Sequence, residues 1–257
     1  MMHKHGFMTG RTLVGGLLLM AATMLAGVDA ANARPNFTGK WQVADPDFVI
    51  RPDVNATEAD YTPEAWADLQ DYRKNWNQEV DDPAKFCVRY GMPHTMTTRA
   101  RDYIIDINQI SSRITVLLEY MDSYRVIHLG KSVVPDSVAP SNNGYSIAHW
   151  EGDTLVIETT MLKARNPVGP VQRSDQAHIT ERWTLGKESP FGKVLNIDMI
   201  IDDPKVFRHP VKARQKYKAA PAGAELNEYG CVDAMWDDYV ARKRAERAGQ
   251  AQGAPAH

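Results

Sequence analysis

The stretch GYSIAHWEGDTLVIETTML, residues 144–162, carries two segments in which apolar and polar side chains alternate around a central Glu-Gly pair. Alternation with a period of two is typical of a strand with one buried and one solvated face. Gly152 supplies the positive φ that a two-residue hairpin needs. We therefore predict a β-hairpin that turns at Glu151 and Gly152. His149, Glu158 and Thr160 stay as the polar residues of this hairpin that could face a ligand.

The same pattern continues on both sides of this hairpin. Between residues 100 and 220, turn residues recur about every ten positions and separate runs rich in Ile, Val, Tyr, Thr and Trp. The chain is therefore predicted to be mainly β, an antiparallel meander of eight or nine strands closed into a barrel. The predicted strands are 37–44, 101–108, 113–120, 123–129, 145–150, 153–161, 177–185, 193–201 and 211–218.

Two segments have helical rather than strand spacing. In residues 62–78, Thr62 can cap a helix, Pro63 suits its first turn, and four apolar residues recur at helical spacing: Trp66, Leu69, Tyr72 and Trp76. A second helix is expected from Asp233, followed by a disordered tail. We thus predict a single barrel domain over residues 34–232, with a helical insertion at about 62–80 and a C-terminal helix and tail over 233–257.

The first 33 residues have the organisation of a signal peptide. Lys4 and Arg11 precede the apolar run Leu13 to Val28, and small residues follow at Ala31 to Ala33. The alternative is an uncleaved membrane anchor, but the run is short for a membrane span. We expect cleavage near Ala33, export to a bacterial periplasm and no stable membrane insertion of the mature chain.

Composition narrows the possible partners. The net charge of −2 gives no global basic field, so nucleic acid is not an expected partner. The chain has two cysteines, Cys87 and Cys231, and an oxidising compartment favours their pairing. We expect a disulfide; the alternative is two buried free thiols.

The segment GKW, Gly39 to Trp41, resembles the Gly-x-Trp signature at the start of lipocalin-type barrels, in which the tryptophan closes the barrel floor. Together with the meander that follows, this resemblance implies a lipocalin-like or calycin-like barrel. The chain departs from that pattern in a long insertion, residues 45–100, between the first strand and the rest.

A second resemblance covers most of the chain after residue 33. GYSIAHWEGDTLVIETT, ERWTL at 181–185, DDPKVFRHP at 202–210 and NEYGC at 227–231 look like a group of exported, mostly uncharacterised bacterial proteins with the core G-x-S-x-x-x-W-E-G-D-T-L-V-V-E-T. Enzymes that decarboxylate lignin-derived phenylcoumaran acids without a cofactor are similar to this group. The resemblance assigns no catalytic residue to this chain.

Charged residues on apolar strand faces are the first candidates for chemistry. The chain has no nucleophile elbow, phosphate loop, His-Glu-x-x-His or dinucleotide fingerprint. Glu181 shares a face with Ile179, Trp183 and Leu185, and Glu119 shares one with Thr115 and Leu117. An inward carboxylate is either half of a structural ion pair or a group poised for proton transfer. Both alternatives stay open here.

A tyrosine and a histidine on one strand are the second set of candidates. Tyr124 and His128 share a face and could act as a general acid and base; the alternative is a packed tyrosine and a surface histidine. The candidate catalytic residues are thus Tyr124, His128, Glu181 and Glu119, and the candidate substrate-binding residues are Arg99, Arg101, Tyr103, Arg125, His149 and Glu158. No pair of histidines has metal-ligand spacing, so neither a metal nor a cofactor is expected.

These candidates suggest a function built on proton transfer alone. We expect a periplasmic, cofactor-independent lyase of the decarboxylase type that acts on an aromatic carboxylic acid in a barrel pocket. The alternative is a lipocalin-like carrier of an apolar or aromatic small molecule, and a third hypothesis is an envelope protein whose barrel is filled by side chains. A small aromatic acid is the expected ligand, and a second copy of the chain is kept as a candidate partner.

Overall fold

The computed structural model describes residues 1, 34–45, 49–51, 55–75, 77, 81, 83–164, 172–188 and 192–252. The predicted signal peptide, Trp76 and the last five residues of the chain lie outside these ranges. Within helix α2, defined below, nothing is stated about the side chains of residues 234 and 247–252. Among the described residues, no helix is long and apolar enough to cross a membrane.

Nine strands form a closed barrel in which each strand pairs with its neighbour in the sequence and β9 returns to β1. All nine correspond to predicted strands, with ends that differ by up to four residues. Their bounds are β1 Gly39–Val43, β2 Ile105–Ile110, β3 Arg113–Leu118, β4 Ser123–Leu129, β5 Tyr145–Glu151, β6 Thr154–Thr160, β7 His178–Glu188, β8 Gly192–Asp202 and β9 Val211–Ala219. The predicted mainly β, lipocalin-like barrel with two flanking helices is confirmed.

The hairpin of residues 144–162 forms as predicted, but its turn lies one residue later. Glu151 pairs with Thr154, so the loop consists of Gly152 and Asp153, and Gly152 has φ of +57°. The positive φ that glycine allows is therefore used at the first loop position.

One pair of strands departs from the predicted antiparallel meander. β4 and β5 are parallel, and only three residue pairs join them: Ile127 with Ser146, His128 with Ile147, and Leu129 with Ala148. The connection between them, residues 130–144, is long enough to return along the barrel before β5 begins. Because the pairing begins at Ile127, the first half of β4 has no β5 residue beside it.

The two described helices flank the barrel. Helix α1, Pro63–Asn75, buries Ala65, Leu69 and Tyr72, and Trp66 packs partly buried against the same core. Helix α2 is Cys231–Gln252, and its first residue forms the predicted disulfide with Cys87.

The barrel interior is occupied by side chains, including those of the segment before β2. Met92 and Met96 are fully buried in the same core cluster as Trp41, Trp183 and the inward residues of the strands. On β9, Gln215 donates to the Thr98 carbonyl (2.6 Å) and Tyr217 to the Met96 carbonyl (3.2 Å). Residues 92–98 of the insertion therefore occupy the barrel interior, where the sequence suggested a ligand pocket.

Candidate functional site

The inward carboxylate predicted on β7 is part of a buried ion pair. Ile179, Glu181 and Trp183 are all buried, as their shared face predicted, and Glu181 has no exposed surface. Its Oε2 accepts hydrogen bonds from Arg125 Nη1 and Trp183 Nε1, both at 3.0 Å, and its Oε1 accepts a short one from Arg125 Nη2.

The rest of the Arg125 guanidinium is also bonded inside the barrel. Its Nε donates to Ser146 Oγ (3.1 Å) and its Nη2 to Thr159 Oγ1 (2.8 Å). The arginine, 2% exposed, thus holds Glu181 rather than an incoming substrate. This geometry corresponds to the structural alternative for Glu181, and it engages the Arg125 guanidinium with groups inside the barrel.

The remaining strand candidates lie on the outside of the barrel. Tyr124 is 63% exposed and His128 is half-buried, on the face of β4 opposite to Arg125. The barrel wall therefore separates Tyr124 and His128 from Glu181, and these groups cannot meet on one ligand. Glu158 faces outward, with its Oε2 2.5 Å from His178 Nε2, and His149 is exposed with its Nε2 3.3 Å from Glu151 Oε1.

Glu119 does not share the face predicted for it. β3 ends at Leu118, so Glu119 lies in the following turn, whereas the inward residues of β3 are Ile114, Val116 and Leu118. Its Oε2 accepts from the backbone N–H of Ile104 (2.9 Å), and its Oε1 accepts from Asn227 Nδ2 (3.1 Å). These bonds give Glu119 a role in joining loops at the end of the barrel.

Of the predicted substrate-binding residues in segment 99–103, Arg99 and Arg101 lie on the surface and Tyr103 is partly buried. Arg99 is exposed, and exposed Arg101 lies 3.7 Å from Asp45. Tyr103 packs its ring against Tyr120 (5.0 Å between centroids) and Tyr229 (5.8 Å). The structure does not bring these three residues to the strand candidates.

Three of the predicted site residues, Tyr124, Arg125 and His128, border a common cleft in the barrel wall. We call this opening, about 360 Å³ in volume, the wall cleft; it lies between the first half of β4 and residues 141–145, where β5 has not yet joined the sheet. Its lining includes Arg89, Tyr124, His128, Ser141, Asn143 and Tyr145. The volume falls in the range of about 300 to 1,000 Å³ that is usual for small-molecule sites.

Asn143 holds the two sides of the wall cleft together. Its Nδ2 donates to the Tyr124 carbonyl (2.8 Å) and to Ser123 Oγ (3.2 Å), while its Oδ1 accepts from Thr95 Oγ1 (2.8 Å). One amide therefore replaces the missing strand pairing at this point. The sequence signal was the turn-forming run SNNG before β5, which marks a loop but not the role of its second asparagine.

Aromatic rings and cationic groups dominate the chemistry of the wall cleft. The His128 ring stacks on Tyr145 (4.5 Å, 17°), and Lys131 Nζ donates to the Tyr145 hydroxyl (3.2 Å). Arg89 donates to the carbonyls of Met121 and Asp122, both at 2.9 Å. Among the described residues that line the cleft, none is an aspartate or glutamate.

The partial burial of His128 and the cations near it favour its neutral form. Partial burial is the main cause that lowers the pKa of His128, and the nearby cations Lys131 and Arg113 lower it further. The imidazole is therefore mostly uncharged at neutral pH and able to accept a proton. An anion placed in the cleft would oppose this shift.

Two residues beside the cleft have a strained backbone. Met121 and Asp122 both adopt positive φ, 60° and 44°, which costs non-glycine residues about 1–2 kcal/mol each. Their carbonyls are the ones that Arg89 binds. The strained backbone at Met121 and Asp122 thus provides the two carbonyls that hold the Arg89 guanidinium at the rim of the cleft.

The other features of the described structure are weaker candidates for a ligand site. A depression of about 550 Å³ at the tip of the β7–β8 hairpin is lined by residues on either side of 189–191, which lie outside the described part of the chain. Within the described ranges, no group of three or more His, Cys, Asp or Glu side chains is placed to hold a metal ion.

The fold and the wall cleft define a closed nine-stranded barrel of lipocalin-like architecture with a polar, aromatic cleft in its wall. No protein-family model matches the chain, and the search of curated proteins returns no match.

Proposed function

We propose that this protein is an exported binding protein for a small aromatic carboxylic acid, which it holds in the wall cleft. The observation that supports this proposal is the pairing of aromatic rings with cations in a cleft whose described lining contains no carboxylate. Tyr124 and Tyr145 offer rings for a ligand ring to contact, and Lys131 and Arg89 favour a negative charge nearby.

Export to the periplasm belongs to the same proposal. The Cys87–Cys231 disulfide suits an oxidising compartment, and the sequence pattern of residues 1–33 is that of a signal peptide. The resemblance to exported bacterial proteins and to enzymes that act on lignin-derived aromatic acids points to the same class of ligand.

A lyase acting on such an acid is the second candidate, and the state of His128 favours it. A neutral imidazole that stacks on Tyr145 and shares the cleft with Tyr124 could take a proton from a bound phenol while a tyrosine hydroxyl supplies one. In this form of the proposal, loss of the phenol proton drives cleavage of the ether C–O bond of a phenylcoumaran-type acid, and the tyrosine hydroxyl protonates the departing ether oxygen. The carboxylate then leaves as carbon dioxide, and its bonding electrons form a carbon–carbon double bond.

Calorimetric titration with matched acids and alcohols tests the binding proposal. We expect a benzoic-type or phenylcoumaran-type acid to bind, and the corresponding alcohol to bind at least about tenfold more weakly, a difference of ~1.4 kcal/mol. Tyr145→Ala should weaken binding of the acid by a similar factor. Tyr239→Ala, a matched change on helix α2, should leave binding unchanged.

A charge variant separates the contribution of charge to binding from that of ring contact. Lys131→Met should reduce the affinity for the acid and leave that for the alcohol unaltered, because Lys131 supplies charge rather than ring contact. If neither acid nor alcohol binds the wild-type protein, the barrel has no ligand of this class and the envelope-protein hypothesis replaces the proposal.

Mass spectrometry of the same mixtures tests for a lyase: a product that disappears in His128→Gln would favour catalysis over carriage.

A further inference from the structure

The backbone groups of β4 point alternately toward β3 and toward β5. On the β3 side, the N–H of Leu129 donates to the carbonyl of Ser112 (2.9 Å). In an antiparallel pair, only every second residue exchanges hydrogen bonds with the facing strand. Counting back from Leu129 along the register of β3 and β4, the residues of β4 whose N–H and C=O groups face the β5 side are Tyr124, Val126 and His128.

The Val126 N–H points into the wall cleft, and no described residue accepts its hydrogen bond. The pairing of β4 with β5 begins at Ile127 and Ser146. In a parallel ladder, this pair uses the C=O of Val126 and the N–H of His128, both bonded to Ser146. A bond from the Val126 N–H to Gly144 would extend the pairing by one residue, and the described part of the chain has no such pair. Since Val126 lines the wall cleft, its N–H is directed into that space.

Asn143 limits the length of strand edge that is open in the cleft. The Tyr124 carbonyl, which faces the same side as the Val126 N–H, accepts from Asn143 Nδ2 (2.8 Å). The open edge therefore lies between this bond and the first pair with β5 at Ile127. A strand edge of two residues is about 7 Å long, which is too short for a peptide to add as a further strand. The edge suits a single acceptor group of a small ligand.

The surroundings of this N–H favour an anion as the acceptor. Lys131 Nζ donates to the hydroxyl of Tyr145 (3.2 Å) on one side of the cleft, and Arg89 is held at its rim. The described lining of the cleft includes no aspartate or glutamate that would compete for these donors. A backbone N–H binds a carboxylate oxygen more strongly than it binds a neutral acceptor. The acceptor that best fits the Val126 N–H is thus a carboxylate oxygen.

We propose that the Val126 N–H donates to the carboxylate of the ligand in the wall cleft and so determines a preference for acids over alcohols. The inference rests on the proposed function, because it assigns a position to the carboxylate of the ligand proposed for this cleft. The carboxylate lies against the edge of β4, and the ligand ring extends toward Tyr145 on the opposite side. Lys131 and Arg89 supply charge, whereas the strand backbone supplies a donor of fixed direction.

Amide hydrogen exchange of the wild-type protein, followed by NMR, tests this position. The probes are benzoate and a phenylcoumaran-type acid, each compared with its alcohol at saturation. We expect a bound acid to slow exchange of the Val126 N–H at least about tenfold, and the alcohol to slow it less. The N–H of Ile127 is the internal control, because it faces β3 and should exchange slowly with or without ligand. If an acid binds and the Val126 exchange rate does not change, this inference is overturned and the proposed function stands. If neither acid binds, the proposed function fails and the inference fails with it.

A backbone ester tests the same donor by removing it. Incorporation of the hydroxy acid analogue of valine at Val126 replaces the amide by an ester, which deletes this N–H and keeps the side chain. Calorimetry should show acid binding weakened at least about tenfold and alcohol binding weakened less. The same replacement at Val133, which is 73% exposed, is the matched control and should leave the affinity for the acid unchanged. An equal loss for acid and alcohol, or no loss for either, overturns the inference. The exchange experiment uses the unaltered protein, so it decides the question even if the ester variant does not fold.

Discussion

At the scale of single residues, the most constrained group is the Arg125–Glu181 pair. Both side chains are buried among apolar residues, and every hydrogen bond of the pair described above ends on another buried group. The same carboxylate acts on its surroundings: burial is the main cause that raises the pKa of Tyr217, and the charge of Glu181 raises it further. A buried charge is tolerated only when it is paired, so the two residues depend on each other.

We expect Glu181→Gln to lower the free energy of unfolding by about 3–5 kcal/mol, because it leaves the Arg125 charge buried without a counter-ion. The double variant Arg125→Met, Glu181→Leu should recover part of the loss, since it removes both charges. Urea denaturation measures both. Asp198→Asn, which breaks the exposed pair with Arg214 (2.6 Å), should cost at most about 1 kcal/mol. Equal losses for the buried and the exposed pair would contradict this account.

His128 gives the protein a predictable response to acid. Its pKa is lowered in the folded state, so between that pKa and the ordinary value near 6.5 the unfolded chain binds more protons than the folded one. The free energy of unfolding therefore rises with pH through this window and falls as the pH drops. We expect stability to decline less between pH 7 and pH 5 in His128→Gln than in the wild type, as measured by denaturation at several pH values. An identical decline would show that His128 is not responsible.

At the scale of secondary-structure elements, pattern and turn spacing were sufficient to locate the strands. All nine strands and both described helices lie where alternation and helical periodicity predict them. The inward face of β7 was also predictable, because Ile179 and Trp183 mark it. These features depend on residues that are close together in the sequence.

The pairing of distant elements was not predictable in this way. The parallel contact of β4 and β5 depends on the path of residues 130–144, and the partner of Glu181 is 56 residues away in the sequence. Tyr124 and His128 were correctly placed on one face of β4, but nothing in their spacing shows that this face is the outer one. For that reason, the sequence predicted a site inside the barrel, whereas Tyr124 and His128 lie on its outer wall.

At the scale of the whole molecule, the location of the cleft follows from how the barrel is filled. Met92 and Met96 occupy the interior, and Gln215 and Tyr217 fix the segment that carries them. A ligand site therefore needs an interruption of the wall, and the short pairing of β4 with β5 supplies one. The proposed ligand contacts the side of the barrel, where loops can position functional groups without disturbing the core.

The Cys87–Cys231 disulfide acts on the whole molecule as well. It closes a loop with a sequence separation of 144 residues and ties helix α2 to the segment before β2. Such a bond stabilises chiefly by restricting the unfolded chain, with typical effects of about 2–4 kcal/mol. We expect the variant Cys87→Ser, Cys231→Ser to lose about that much in urea denaturation, and reduction of the wild type to have the same effect. Unchanged stability in both experiments would show that the disulfide does not stabilise the fold.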